Sequence, residues 1–280
     1  MTRSRSARWL QMNVALERRD GQALPSARAV FGGLAPLLAQ WRRERAVSCW
    51  YFMRKPPDLR LRFQGPAPDA DVVPALAALL RRLRRQGFVR RFFPSVYEPE
   101  TFQFGGPEAM RLVHAHFAAD SAAWLAMDQL WAAGRASLTP EALTLAVIND
   151  LLCRTLGDGA EVWDVWCNLA QRLPPLSANQ QPPELDIFGL GELLAEASPA
   201  EAAILRRYAR ANERLAVGLL RVWSRGRLLC GLRGIFPFVA LFHFHRYGLP
   251  GSAQAALAAA MVEAFSPKRG LCGVDVEVRT

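Results

Sequence analysis

The chain has 280 residues, 51% of them hydrophobic and 21% charged, which is enough to bury the core of a globular domain without disulfide bonds. Its five cysteines are scattered without a CxxC pair, which argues against a disulfide framework or a cysteine zinc site and favours a cytoplasmic protein. The net charge of +10 favours acidic partners, unless a GC-rich genome alone accounts for the many arginines.

The N-terminal segment lacks the pattern of a targeting sequence. Its apolar run is broken by Gln11 and Asn13 and leads into the charged stretch Glu17–Asp20. A secretory signal peptide is therefore not expected. No window offers the ~18 consecutive apolar residues that a membrane span requires, so we expect no membrane association.

The first elements predicted from the sequence are two strands joined by a tight turn. Val47–Met53 is a β-branched and aromatic run, and Asp58–Phe63 alternates strictly between apolar residues and arginines. The turn Lys55–Asp58 would close these two runs into a hairpin. We expect Phe88–Tyr97 to form a third strand at a sheet edge, because Pro94 cannot donate to a ladder.

The remainder of the chain is predicted to be mostly helical. Gly87 is suited to stop a helix in the left-handed conformation, and Pro107 is suited to a first helical position. We expect helices over Asp71–Gln86, from Pro107, from the cap at Thr139 to about Leu156, and over Leu185–Ala197, Pro199–Arg225, Arg227–Arg246 and Ser252–Phe265, with a surface loop at Leu173–Pro183. The predicted fold class is α+β, a small antiparallel sheet near the N-terminus packed with a mostly helical remainder, in a single domain over residues 1–280.

Several longer motifs follow one another along the chain. They are WYFMRK at residues 50–55, LRLRF at 59–63, YEPETFQFGGPEAM at 97–110, AADS at 118–121, DVW at 164–166 and FHFHR at 242–246. In this order they resemble the C-terminal domain of lantibiotic dehydratases and the related stand-alone proteins of thiopeptide biosynthesis. The resemblance extends from Trp9 to about Leu249. It implies a bacterial enzyme that tailors ribosomally made peptide natural products.

The resemblance implies a particular reaction. In that family, serine or threonine of a precursor peptide is first glutamylated, and the elimination domain then removes glutamate to leave dehydroalanine or dehydrobutyrine. This chain would accordingly be a lyase without a cofactor, acting on a leader-core precursor beside a separate glutamylation protein. Two alternatives stay open. A related branch of stand-alone length forms pyridine by a formal 4+2 cyclisation of dehydroalanines, and a non-catalytic protein could bind the precursor for another enzyme.

Arg60 and Arg62 are the first candidate catalytic residues. On a strand, residues two positions apart emerge on one face, ~7 Å apart along the chain. Elimination requires cations for the leaving carboxylate and for the enolate charge, and arginine stays protonated and binds carboxylates through paired hydrogen bonds. The pattern alone favours the solvated face of an amphipathic strand, whereas the family resemblance favours catalysis.

His243 is the third candidate catalytic residue, because histidine titrates near neutrality and the resemblance implies that it moves the proton. The pattern alone favours a core histidine in an apolar helix. The candidate substrate-binding residues are Arg246, which shares a helical face with His243, together with Tyr97, Gln103 and His245. His245 stands where relatives carry asparagine. Gln103 stands where the dehydratases carry an arginine that assists elimination, and this difference favours the cyclase.

No metal or nucleic-acid site is expected. The pairs His114/His116 and His243/His245 lie on predicted helices, where residues two apart point to nearly opposite sides. The chain has no Walker loop, no GxGxxG and no serine nucleophile elbow. Its basic stretches lack the interleaved aromatic residues that stack on bases, so direct contact with nucleic acid is not indicated.

Overall fold

The computed structural model describes residues 8–176 and 189–267. Its strands are β1 (Arg8–Leu16), β2 (Cys49–Lys55), β3 (Asp58–Gly65) and β4 (Val89–Ser95). Its helices are α1 (Leu24–Arg43), α2 (Pro68–Asp71), α3 (Val73–Arg85), α4 (Pro107–Ala132), α5 (Pro140–Leu156), α6 (Gly159–Ala170), α7 (Leu190–Glu196), α8 (Pro199–Ser224), α9 (Leu232–Tyr247) and α10 (Gly251–Ala264). The predicted α+β class, with a small antiparallel sheet near the N-terminus, is confirmed.

The described residues form two compact units. Unit 1 comprises residues 8–99 with Phe117–Leu125, and unit 2 comprises Glu100–His116 with the described residues from 126 onward. Helix α4 therefore contributes residues to both units. The expectation of a single domain stays a prediction, and each unit is described by itself.

Unit 1 is built on a four-stranded antiparallel sheet with the order β2-β3-β1-β4. The predicted hairpin is confirmed, since β2 and β3 pair up to Lys55 opposite Asp58. The third predicted strand is confirmed as β4 at the sheet edge, where Pro94 is tolerated. The predicted helix before Gly87 is confirmed as α3, and Gly87 has a φ of +72°.

The core of unit 1 lies on one face of this sheet. Alternate residues of β1 and β3 are buried there: Leu10, Met12, Val14, Leu59, Leu61 and Phe63. Helix α1 covers this face, because Trp41 packs edge-on against Phe63 and Phe31 contacts Phe52 at centroid distances of 5.6 and 4.6 Å. Trp124 of α4 packs on Phe31 and Phe52 as well. Because Leu59, Leu61 and Phe63 face this core, the alternate residues of β3 project from the opposite, polar face of the sheet.

Strand β1 and helix α1 were not among the predicted elements. The residues Gln11 and Asn13, which break the apolar run at the N-terminus, occupy alternate positions of β1 between the buried Leu10, Met12 and Val14. This alternation of polar and apolar residues with a period of two is typical of a strand that has one polar and one apolar face. Helix α1 carries Pro36 in its interior and two consecutive glycines, which weaken the sequence signal of a helix.

Unit 2 is helical. Within it, α5 packs against α8, and α6 packs against both α9 and α10. Pro107 starts α4 as predicted, and Thr139 caps α5 by accepting a hydrogen bond from the Ala142 N–H at 3.1 Å. Helix α8 begins at Pro199 as predicted. Helix α6 was not predicted as an element of its own.

One helix boundary in unit 2 was predicted wrongly. A helix was expected over Arg227–Arg246, but α9 begins only at Leu232. The residues before Leu232 form a loop instead, and this loop binds the segment before α4, because the Leu229 N–H donates to the Gly105 carbonyl at 3.0 Å. Within the predicted helix Leu185–Ala197, α7 starts at Leu190, and residues 185–188 lie outside the described part of the chain, as do residues 177–183 of the expected loop.

No helix in the described residues is both long enough and apolar enough to span a membrane.

Candidate active site

A row of polar side chains crosses the sheet of unit 1 from edge to edge. In the strand register Tyr51 of β2 lies opposite Arg62 of β3, Arg62 lies opposite Gln11 of β1, and Gln11 lies opposite Ser95 of β4. The alternation of each strand places all four on the face opposite the apolar core. We call Tyr51, Arg62, Gln11 and Ser95 the polar row.

Arg62 is the charged member of the polar row. It is only 4% exposed, and its guanidinium donates from Nε to Gln11 Oε1 at 2.7 Å and from Nη1 to the Tyr51 hydroxyl at 2.8 Å. Both partners are neutral. Within the described part of the chain, no carboxylate forms an ion pair with Arg62, and no acceptor forms a hydrogen bond with its Nη2. The site is a buried cation held by neutral acceptors.

Gln11 is itself held by two polar neighbours. Its Nε2 donates to Asn13 Oδ1 at 3.1 Å and to Ser95 Oγ at 2.8 Å. The Asn13 side chain also donates to Ser95 Oγ, at 2.8 Å. Gln11 and Asn13 are buried, whereas Ser95 is exposed at the sheet edge. The hydrogen bonds thus connect the surface strand β4 with the buried Arg62.

Tyr97 lies next to the polar row. The Tyr51 hydroxyl, which accepts from Arg62, donates to the Tyr97 hydroxyl at 2.7 Å. The Arg62 guanidinium also stands 4.1 Å from the centroid of the Tyr97 ring, within cation–π distance. The structure therefore brings together Arg62 and Tyr97, two of the residues selected from the sequence.

Arg60 shares the strand face of Arg62 but has different surroundings. It lies opposite Asn13 in the register, is half-buried, and donates from Nε to the Pro56 carbonyl at 3.0 Å. A surface guanidinium bound to a turn carbonyl remains largely hydrated. The two arginines are neighbours, as the alternation predicts, but only Arg62 is a desolvated cation.

The remaining candidates belong to unit 2. His243 of α9 is 2% exposed and stacks on Tyr247 with a centroid distance of 4.5 Å and an interplanar angle of 29°. The Tyr247 hydroxyl shares a hydrogen bond of 2.8 Å with the Tyr208 hydroxyl of α8. Arg246 is fully buried on the same helix, and His245 is half-buried. His243 therefore sits among aromatic rings in the interior of unit 2, beside a buried cation.

Gln103 lies in the turn that precedes α4. It is half-buried, and the Cys230 thiol contacts its carbonyl oxygen at 3.8 Å. The two glycines that follow it, Gly105 and Gly106, have φ values of +84° and +103°, which explains why glycine occupies both positions. The turn is thus fixed by its backbone against the loop before α9.

Sequence reasoning missed most of the polar network. It selected Arg60, Arg62 and Tyr97 in unit 1, and Gln103, His243, His245 and Arg246 in unit 2. It did not select Gln11, Asn13, Tyr51 and Ser95, or Tyr208 and Tyr247. The available signal was the polar alternation of Gln11 and Asn13, which identifies a second strand with a polar face.

The titratable residues do not suggest a metal centre in the part of the chain that the structure describes. There, no group of three or more histidine, cysteine, aspartate or glutamate side chains is arranged to hold a metal ion. His114 and His116 both lie on α4, where residues two apart point in different directions.

The family model described as lantibiotic biosynthesis dehydratase C-term matches residues 9–264. This chain belongs to that family, which confirms the resemblance carried by the sequence motifs. No curated protein sequence matches the chain significantly.

Among solved structures, the chain is similar to the tRNA-dependent lantibiotic dehydratase MibB from Microbispora sp. 107891. The TM-score is 0.69 at 18% identity, and the match covers 94% of this chain and 28% of that one. The chain thus spans little more than a quarter of the length of MibB, and the likeness supports the fold. A second match is the pyridine synthase TbtD from thiomuracin biosynthesis, with a TM-score of 0.49 at 16% identity, covering 95% of this chain and 100% of that one.

Proposed function

We propose that this protein eliminates glutamate from glutamylated serine or threonine residues of a precursor peptide and leaves dehydroamino acids. The observation that carries the proposal is Arg62, a buried cation whose described partners are all neutral. A guanidinium removed from water is unfavourable unless it is hydrogen-bonded and paired with an anion. Membership of the dehydratase family makes a glutamyl carboxylate the fitting anion.

The proposed β-elimination requires a base for the Cα proton and cations for the leaving glutamate. A base removes the Cα proton of the esterified residue, the bond from its side-chain oxygen to Cβ is then replaced by a Cα–Cβ double bond, and glutamate leaves as a carboxylate. We assign binding of a glutamate carboxylate to Arg62, with Arg60 as a second cation on the same strand face. We assign the proton transfer to His243.

The substrate-binding roles are part of the same proposal. Tyr97 would flank the bound carboxylate from its position beside Arg62, and Arg246 would supply a cation next to His243. Gln103 and His245 would contact the peptide. No step requires ATP or a cofactor, because elimination from an ester is acid–base chemistry. The partners would be a precursor peptide and a separate protein that glutamylates it.

A specific observation favours a second candidate function. The central motif has Gln103 in the position where the resemblance leads one to expect an arginine. A neutral amide cannot supply the charge that such an arginine would give to a leaving carboxylate. The alternative is therefore the formation of pyridine from two dehydroalanines by a formal 4+2 cyclisation, in which no glutamate departs.

The two functions can be separated by one assay. The purified protein is incubated with a glutamylated precursor peptide, without ATP or added metal, and the peptide mass is followed. Elimination lowers the mass by one glutamic acid per modified site. If the glutamylated peptide persists while a fully dehydrated precursor loses its leader, the cyclase is correct. Binding of the precursor without either product would instead identify a delivery protein.

The role of His243 is tested by a matched pair of variants on one helix. His243→Ala should lower turnover by about 10²–10⁴-fold, as expected for a lost general acid or base. His245→Asn should be tolerated, because the family resemblance leads one to expect asparagine there. Since His243 stacks on Tyr247, thermal unfolding of both variants is measured as well. A folded His243→Ala protein with full activity would remove His243 from the mechanism.

A further inference from the structure

The orientation of the Gln11 side chain follows from its hydrogen bonds. Its oxygen faces the Arg62 Nε–H at 2.7 Å, and its nitrogen faces Asn13 Oδ1 and Ser95 Oγ. The opposite amide orientation would place two donors against each other at Arg62 and an oxygen against Asn13 Oδ1. Ser95 Oγ accepts from both Gln11 and Asn13, so it fixes the end of the network at β4.

This arrangement has an electrostatic consequence. The Gln11 oxygen fixes the plane of the Arg62 guanidinium but carries no charge. A glutamate at this position would accept the same hydrogen bond and would also neutralise the guanidinium. In a buried site, such an ion pair is much stronger than the hydrogen bond between the guanidinium and a neutral amide. Gln11 thus holds the buried Arg62 in place without neutralising its positive charge.

We infer that Gln11 is a positioning residue, and that its neutrality keeps the charge of Arg62 available to a carboxylate ligand. The identity of that carboxylate as part of a glutamyl group rests on the proposed function. The Nη2 donors of Arg62, for which the described chain offers no hydrogen-bond acceptor, are the ones that would bind it. Asn13 and Ser95 act through Gln11 by fixing its amide.

The substitution Gln11→Glu separates positioning from support of the fold. The two side chains have nearly the same shape, and glutamate would retain the acceptor for Arg62. Most of the network can adjust, because the Ser95 hydroxyl can donate to the new carboxylate while it still accepts from the Asn13 amide, so that only the contact between Asn13 Oδ1 and the carboxylate lacks a hydrogen. A purely structural Gln11 therefore predicts a folded and fully functional variant.

The experiment measures binding of free L-glutamate by calorimetry to the full-length protein, with L-glutamine as the comparison ligand. The wild type should bind glutamate, and Gln11→Glu should remain folded but bind it at least about tenfold more weakly. Gln86→Glu is the matched control, because Gln86 is exposed at the end of α3 and receives the same change of charge. It should bind glutamate like the wild type.

The inference would be overturned if the wild type does not bind glutamate, if a folded Gln11→Glu protein binds it equally well, or if Gln86→Glu loses as much affinity. If Gln11→Glu does not fold, Gln11→Met decides. Methionine fills a similar volume but offers Arg62 only the weak acceptor of its thioether, so it should weaken glutamate binding, and an unchanged affinity in this variant would overturn the inference.

The same experiment distinguishes this inference from the proposed function. Loss of glutamate binding in Gln11→Glu, in a protein that never releases glutamate from a glutamylated precursor, would support the anion site and contradict the lyase. Elimination that proceeds equally well in wild type and Gln11→Glu would support the lyase and contradict the positioning role.

Discussion

At the level of single residues, Arg60 and Arg62 show how two equivalent positions in a sequence pattern acquire different roles. Both follow the alternation of β3 and project from its polar face. Arg60 reaches the Pro56 carbonyl at the surface, whereas Arg62 is buried between Gln11 and Tyr51. The difference arises because Arg62 lies opposite polar residues on both neighbouring strands, and because Tyr97 covers it.

Replacement of each arginine by lysine should therefore give different results. Arg62→Lys loses the planar fork that bonds Gln11 and Tyr51, so we expect a loss of about 1.5–3 kcal/mol of stability and, under the proposed function, a lower elimination rate. Arg60→Lys should lower the rate with little change in stability, because Arg60 is half-buried. Activity assays and urea denaturation measure the two effects.

The exposed Arg90 of β4 provides the control for this pair. Arg90→Lys should alter neither the rate nor the free energy of unfolding. An Arg62→Lys protein with wild-type activity would show that the buried cation does not take part in the reaction.

At the level of elements, the turn before α4 depends on two glycines. Gly105 has a φ of +84°, and a Cβ there would come within 2.7 Å of Leu228 Cδ1 and 2.8 Å of Ile235 Cδ1. Gly134, at the end of α4, also has a positive φ of +64°, but a Cβ there would meet nothing within 4 Å. The two positions therefore separate backbone strain from crowding within unit 2.

We expect Gly134→Ala to destabilise the protein by about 1–2 kcal/mol, the cost of a left-handed backbone for a residue with a Cβ. Gly105→Ala should cost more, about 2–5 kcal/mol, because the side chains of Leu228 and Ile235 must also move. Denaturant unfolding of both variants tests the difference. Equal losses would mean that the loop before α9 adjusts freely to the added methyl group.

Helix α8 is attached to the α4–α5 connection through Glu201. This carboxylate is 0% exposed and accepts hydrogen bonds from the Ser137 N–H, the Leu138 N–H and the Ser198 hydroxyl at 2.7, 3.0 and 2.7 Å. Burial works to raise its pKa, but the hydrogen bonds outweigh burial and lower the pKa to about 2. Glu201 thus caps α8 and binds the preceding connection as an ion.

The lowered pKa predicts the pH range in which this contribution disappears. The folded protein holds Glu201 ionised, so the stabilisation is complete above its ordinary pKa of 4.5 and is lost as the pH falls toward 2. Glu201→Gln should cost about 1.5–3 kcal/mol at pH 7 and progressively less between pH 4.5 and 2. Urea denaturation at several pH values measures this, with the exposed Glu196→Gln as control. A constant difference across that range would contradict the assignment.

At the level of the whole molecule, the dominant property is the net charge of +10. The exposed arginines include pairs on α3 and β4, Arg81/Arg82, Arg84/Arg85 and Arg90/Arg91. Such a surface attracts acidic partners over distances comparable to the screening length, ~8–10 Å at physiological ionic strength. An acidic precursor peptide would be drawn to it before any specific contact forms.

Binding of an acidic precursor should therefore weaken clearly between low and high salt. A titration at several sodium chloride concentrations, followed by fluorescence anisotropy of a labelled precursor, gives the dependence. An affinity independent of salt would show that apolar contacts carry the binding and that the charge is a matter of composition.

The local sequence determined those parts of the protein that depend on neighbouring residues. The alternation of Asp58–Phe63, the edge strand around Pro94, the cap at Thr139 and the left-handed stop at Gly87 are read from a few adjacent positions, and the structure confirms them. The family was likewise visible in short motifs. Periodicity and capping depend only on adjacent residues, so they can be recognised in the sequence without knowledge of the fold.

Only the tertiary structure decided which distant segments meet. Gln11 lies opposite Arg62 because β1 inserts between β3 and β4, and no local pattern specifies that register. The late start of α9 and the burial of Glu201 have the same origin, since Leu229 bonds Gly105 and Glu201 bonds Ser137 across long stretches of chain. Such pairings are fixed by burial and by hydrogen bonds between remote residues, and these are properties of the folded chain alone.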